Sequence, residues 1–190
     1  MTIFIRHTAV KNADAATGTV QVEQGNSARL TTSVETANPD GLTVDMGNNG
    51  VYFDVEGRIR DSEGNASTDD TIMSYIDVVR DITIGENVTV NADFIGAMNL
   101  GPTLTINGTV NVNSVYNQGS PIIVNGALNT ADIFRMLCAD AQIIVSGTLT
   151  AEKLIYDDSC ANGELTINEG GSVTVTDLVF TGDRAANINN

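Results

Sequence analysis

Leu104-Thr-Ile-Asn-Gly-Thr-Val-Asn-Val112 holds two short runs in which apolar and polar residues alternate, separated by Asn107-Gly108. Period-2 alternation of this kind reads as strand with one face turned inward. Asn and Gly between the runs supply the positive-φ or side-chain-bonded conformations that a tight corner needs. Four further segments repeat the pattern: Ile82-Thr-Ile-Gly-Glu-Asn-Val-Thr-Val90, Ile122-Ile-Val-Asn-Gly-Ala-Leu128, Ile143-Ile-Val-Ser-Gly-Thr-Leu149 and Leu165-Thr-Ile-Asn-Glu-Gly-Gly-Ser-Val-Thr-Val175. Each of the five precedes a short apolar group: Phe94-Ile95, Val115-Tyr116, Ile133-Phe134, Leu154-Ile155 and Leu178-Val-Phe180. From start to start the segments lie 22, 18, 21 and 22 residues apart. A repeat of about 20 residues carrying three short strands predicts a parallel β-solenoid, with coils stacked at about 4.8 Å.

The corner positions of successive coils form a column of Gly85, Asn107, Asn125, Ser146 and Asn168. Side chains of Asn107, Asn125 and Asn168 are expected to hydrogen-bond from coil to coil, which accounts for part of the 20 Asn in the chain. Cys138 and Cys160 each stand five residues before a first strand, so the register puts them in one column, one coil apart. A separation near one coil rise, about 4.8 Å, lies within disulfide reach, whereas a reducing cytoplasm favours buried, paired thiols. Either way the two cysteines read as structural.

With these segments in place, residues 82–180, extending back to 42, resemble the right-handed parallel β-helix proteins: pectate-lyase-like enzymes, phage tailspikes and adhesins. The resemblance implies a fold and transfers no functional residue. The expected class is therefore all-β, a parallel β-solenoid with an irregular N-terminal cap. Residues 1–40 are expected to cap or dock, 41–182 to form the solenoid with a polar loop at 61–70, and 183–190 to form a tail. Leu42-Thr-Val-Asp-Met-Gly-Asn-Asn-Gly-Val-Tyr-Phe-Asp-Val55 reads as an earlier coil with the same strand–corner–strand logic. A cap is needed because unpaired strand edges aggregate.

Composition narrows the function. Of 190 residues, 9 are Lys or Arg and 24 are Asp or Glu, a formal charge of −15. Without a cationic surface, direct binding of nucleic acid or of an anionic membrane is not expected. The single histidine, His7, leaves nothing for a His-based triad or a multi-His metal site. No phosphate loop, dinucleotide fingerprint or Cys/His cluster appears. The N-terminal stretch lacks the pattern of a secretory signal and no window spans a bilayer, so synthesis in the cytoplasm is expected, with incorporation into a virion as one destination.

Two constellations compete with a purely structural reading. Asp93, Ser114, Asp132, Lys153 and Asp177 each precede the third apolar group of a coil, so Asp93, Asp132 and Asp177 are expected in one outward column. Glycosidase chemistry needs two carboxylates at a set distance, one of them protonated. Lys153 between two of the acids favours instead a solvated salt-bridge ladder. Asp61, Glu63, Asn65 and Asp69 form an oxygen-rich loop of the composition calcium accepts, but Gly64 sits at the wrong position for an EF-hand, and the expected reading is a surface loop. No cofactor is expected.

These readings predict a non-enzymatic structural or interaction protein: a rigid solenoid such as a phage decoration, fibre or tail component, or an adhesin-like module. Its partner would be another protein or further copies of itself, a trimer for instance. The alternative is an acidic inhibitor that mimics nucleic acid and blocks a basic partner, since residues 40–93 hold 12 Asp or Glu against Arg58, Arg60 and Arg80. The second alternative is a carbohydrate-active β-helix enzyme working through the three acids.

Overall fold

A computed structural model describes residues 27–68, 70–137, 141–157 and 163–181, and the backbone alone of 2–4, 20–22 and 187–189. The described residues contain strands and no helix, wound into a parallel β-solenoid of about five turns with a spacing of about 21 residues. No helix among them is long and apolar enough to cross a membrane.

Each coil has three faces. The first stacks Ile82–Ile84, Leu104–Ile106, Ile122–Val124, Gln142–Val145, Glu164–Ile167 and Asn187–Asn189, all parallel. Its register aligns Ile82, Leu104, Ile122, Ile143, Leu165 and Ile188, the first residues of the five sequence segments followed by one more. The second face stacks Thr2–Phe4, Leu42–Asp45, Val88–Asn91 and Thr109–Val112. The third stacks Ser27–Leu30, Met73–Asp77, Phe94–Ala97 and Ser114–Asn117, with Val20–Val22 antiparallel at its outer edge. Ala127–Met136, Thr148–Tyr156 and Ser172–Phe180 each run through both the second and third faces. The stack thus begins before residue 41, since Ser27–Leu30 is already parallel to Met73–Asp77 and Val34 bridges to Ile84. At the other end it reaches into 183–190, where Asn187–Asn189 lies in register on Glu164–Ile167.

Inward residues form continuous apolar columns: Ile84, Ile106, Val124 and Val145 on one face, Val90, Val110, Leu128 and Leu149 on the next. All eight are at most 1% exposed. Such burial of like against like contributes roughly 1.5–3 kcal/mol per side chain, and it penalises a one-residue slip on every coil at once.

The corner after the first face is where coils approach most closely. Gly108, Gly126, Gly147 and Gly171 occupy it, and none of the four has a positive φ. Their glycine requirement is space and not backbone conformation, contrary to the sequence expectation. A Cβ on Gly126 would stand 2.1 Å from the Gly108 carbonyl oxygen, and one on Gly147 2.0 Å from that of Gly126. The expected corner column bonds in two places: Asn125 Nδ2 donates to Asn107 Oδ1 at 2.8 Å, and Asn168 Nδ2 to Ser146 Oγ at 3.0 Å.

One segment leaves the stack. Leu42–Asp45 is a coil strand, but residues 46–72 do not continue it as a second coil strand. They hold an antiparallel hairpin, Tyr52–Phe53 with Ile59–Arg60, that lies against the outside of the third face. The sequence alternation in Val51–Val55 is real, but its apolar side packs on the exterior of the solenoid.

Gly126→Ala should lower stability by about 2–3 kcal/mol, because a backbone oxygen cannot yield. Asn125→Ala, which removes one exposed amide contact, should cost about 1 kcal/mol. Urea unfolding of the two variants beside the wild type checks the order.

Candidate functional site

The insertion is clasped to the coils by one buried carboxylate. Asp93 is 0% exposed. Its Oδ1 accepts the Asn49 backbone N–H at 2.6 Å and that of Val51 at 3.3 Å. Its Oδ2 accepts from Asn49 Nδ2 at 2.9 Å, from the Ser74 N–H at 2.7 Å and from Ser74 Oγ at 3.1 Å. All these donors are neutral, and together they saturate the carboxylate. Asp93 therefore ties the first turn of the insertion to the coil beneath it.

An aromatic cluster fastens the hairpin beyond the clasp. Phe53 meets Phe94 edge-on at 4.8 Å and Tyr116 at 4.7 Å, while Tyr75 stacks on Phe94 at 4.9 Å. Such pairs contribute about 0.5–1.5 kcal/mol beyond their burial. The hairpin turn reaches Tyr116 through Gly57, whose φ of +75° and 2.6 Å Cβ distance to the ring leave no room for a side chain. Arg135, 8% exposed, donates Nη1 to the Val55 carbonyl and Nη2 to Asp157 Oδ2 at 2.5 Å.

Two insertion carboxylates serve the insertion itself. Asp54 accepts the N–H groups of Glu56 and Arg58 and the Nε groups of Arg58 and Arg60. Burial raises the Asp54 carboxyl, but the Arg58 N–H, the two guanidiniums and the Glu56 N–H outweigh it and hold it well below the usual carboxylate range. Asp61 accepts the N–H of Asn65 at 2.8 Å and of Glu63 at 2.9 Å, with the Asn65 amide at 3.3 Å. These bonds, the Asn65 N–H foremost, lower its carboxyl.

Where the insertion leaves and rejoins the coils, a groove of about 790 Å³ opens along the corner between the second and third faces. Asp45, Asn91, Asn111, Asn129 and Thr150 line it from coil to coil in one register row. Asn111 Nδ2 donates to Asn91 Oδ1 and Asn129 Nδ2 to Asn111 Oδ1, both at 2.8 Å. Thr150 Oγ1 extends the ladder to Asn129 Oδ1 at 3.1 Å. Asn48 of the insertion joins Asn113 through a reciprocal pair of amide bonds at 3.0 Å each.

No family model, curated protein or solved structure matches the chain. The site is therefore read from its own residues.

The three column acids do not meet. Phe94 and Ser114 are register partners, as are Ile133 with Lys153 and Lys153 with Asp177, so Asp93 and Asp132 stand one position earlier. Phe94 and Ile133 are apolar yet face outward, so in the sequence they pass for the start of an inward run and shift the expected column by one residue. Asp93 is buried under the insertion, Asp132 lies at a register shift between Thr130 and Ile133, and Asp177 is exposed on the last coil. Burial raises the Asp132 carboxyl; Lys153 opposes and Glu152 reinforces that effect. Asp61 and Asn65 bind each other, with Glu63 accepting from the Asn65 amide at 3.4 Å, and Asp69 lies outside the described residues. Among the described residues no group of three or more His, Cys, Asp or Glu is placed to share an ion. His7, Cys138 and Cys160 also lie outside them. The row Asn91, Asn111, Asn129 escaped the sequence reading although its 20- and 18-residue spacing follows the repeat.

Asp93→Ala strands several buried donors and should cost about 2–4 kcal/mol; limited proteolysis should then cut within 46–72 while the far-ultraviolet β signal persists. Because the Asp54 carboxyl is lowered, its stabilisation is complete above the unfolded value near 3.8 and is lost as pH falls toward the folded one. Asp54→Asn should therefore lose less stability than the wild type between about pH 6 and pH 3, measured by urea midpoints at the two values.

Proposed function

We propose that this chain is a non-enzymatic structural or interaction module, a rigid solenoid that assembles end-on through its last coil. One observation carries the reading. Among the described residues, Ser172–Phe180 pairs only with Thr148–Tyr156, so its other edge carries no strand partner. Leu178 and Phe180 continue the inward columns of Leu154 and Tyr156, yet both are 42% exposed. An exposed nine-residue edge with apolar side chains on its core side is a template for another chain. Further copies of this solenoid supply the matching period. A virion decoration, fibre or tail component, or an adhesin-like module, is the setting for such a rod.

The acidic-inhibitor reading has less support. Asp54, Asp61, Asp77, Asp93 and Asp157 are each engaged by donors within the chain, so they do not form a free phosphate-like array. The enzymatic reading loses the acid column on which it rested.

Light scattering in low salt and in about 0.5 M NaCl should give a dimer or larger at both salts. Leu178→Lys with Phe180→Lys should return the single-chain mass without loss of the β signal. A wild-type chain that is monomeric at both salts overturns end-on assembly. A salt-sensitive complex with a basic protein would put the inhibitor reading in its place.

A further inference from the structure

We propose that the groove between the second and third faces binds a neutral, linear oligosaccharide without cleaving it. This does not depend on end-on assembly, because the groove runs along the side of the rod.

Charge and chemistry of the lining select the ligand class. Among its residues Asp45 alone is charged, and no Lys or Arg is present. An anionic polymer would find no counter-charge there. The dominant groups are side-chain amides. Each ladder asparagine spends one N–H and one lone pair on its neighbours at most, and keeps a second N–H and a second lone pair. Hydroxyl groups, which both donate and accept, satisfy such amides in either orientation. Ile72, 42% exposed, and Ala131 supply apolar surface in the same groove for the C–H faces of a sugar ring.

Length and period favour a sugar chain over a peptide. The row from Asp45 to Thr150 crosses four coil steps, about 19 Å at about 4.8 Å each. An extended peptide repeats at about 3.3 Å per residue and gains most by adding to a free backbone edge. The backbone of Asn91, Asn111 and Asn129 is instead paired within the sheet on both sides. A side-chain ladder offers only side-chain chemistry. Hydrolysis is not part of the proposal, since it requires two carboxylates and the lining holds one.

The test is calorimetric titration of the full chain with maltohexaose, cellohexaose and xylohexaose, with oligogalacturonate as the anionic control and an extended polar hexapeptide as the peptide control. At least one neutral hexasaccharide should bind saturably. Asn111→Ala with Asn129→Ala should weaken it at least tenfold, whereas Asn125→Ala, in the corner ladder outside the groove, should leave it unchanged. If the double variant does not fold, Thr150→Val at the end of the row should still weaken binding several-fold. Four results would overturn the proposal: no binding of any neutral probe, tighter binding of oligogalacturonate, tighter binding of the peptide, or neutral-glycan binding that the groove variants leave intact. Monomeric behaviour in light scattering would bear on assembly alone.

Discussion

The contact on which the structure depends is backbone against backbone: the peptide at Gly126 resting on the carbonyl of Gly108, and that at Gly147 on Gly126. Nothing compressible separates the coils there, so the corner sets their phase. Once the phase is set, every inward column is in register and the amides of Asn125, Ser146 and Asn168 reach Ile106, Val124 and Val145 carbonyls one coil back. The residue before each glycine is pushed to the outside, where an Asn can bond along the axis. This corner stays short in every described coil, with two residues between the strands at Asn107-Gly108 and four at 168–171. The insertion of 46–72 enters at a different corner, between the second and third faces, and that is also where the groove opens.

What could be read from the sequence follows from this division. The first face and the glycine corner repeat in identity, and Ile82, Leu104, Ile122, Ile143 and Leu165 align in the structure as their spacing requires. The third face was less legible because its outward side is not polar. Tyr75, Phe94 and Tyr116 face outward and are covered by the hairpin. Alternation tells inside from outside only where one side is wet; a second apolar layer erases the difference, and the acid column was displaced by one residue as a result. The insertion was read as a coil for the same reason, since a hairpin that buries one face has the alternation of any half-buried strand.

Asp93 shows what holding such an insertion requires. A carboxylate without a cation in the interior is costly unless its lone pairs are filled. Here neutral N–H groups fill them, from Asn49 and Val51 in the insertion and from Ser74 in the coil strand that follows it. Those bonds can form together only when the insertion leaves and returns at fixed positions. The clasp therefore specifies geometry more than it adds stability, as buried polar groups do in some other folds. It also holds Asn49, which lines the groove, in place.

The ladder of Asn91, Asn111 and Asn129 then stands out energetically. Asn is depleted in strands, where Val and Thr fit the pleated surface better, by up to about 1 kcal/mol across the propensity scale. A neutral, partly exposed amide bond returns about the same. Stability therefore does not decide between an Asn row and a Thr row at these positions. The corner row is different, because Asn107 and Asn125 occupy bends, where their side chains have a local role. On the second face there is no bend at Asn111 to justify it: the residue is mid-strand, outward and in the groove. What an Asn row provides there and a Val row cannot is a regular line of unspent donors and acceptors. That line is held rigid by its own lengthwise bonds, so a ligand meeting it has little side-chain freedom left to remove.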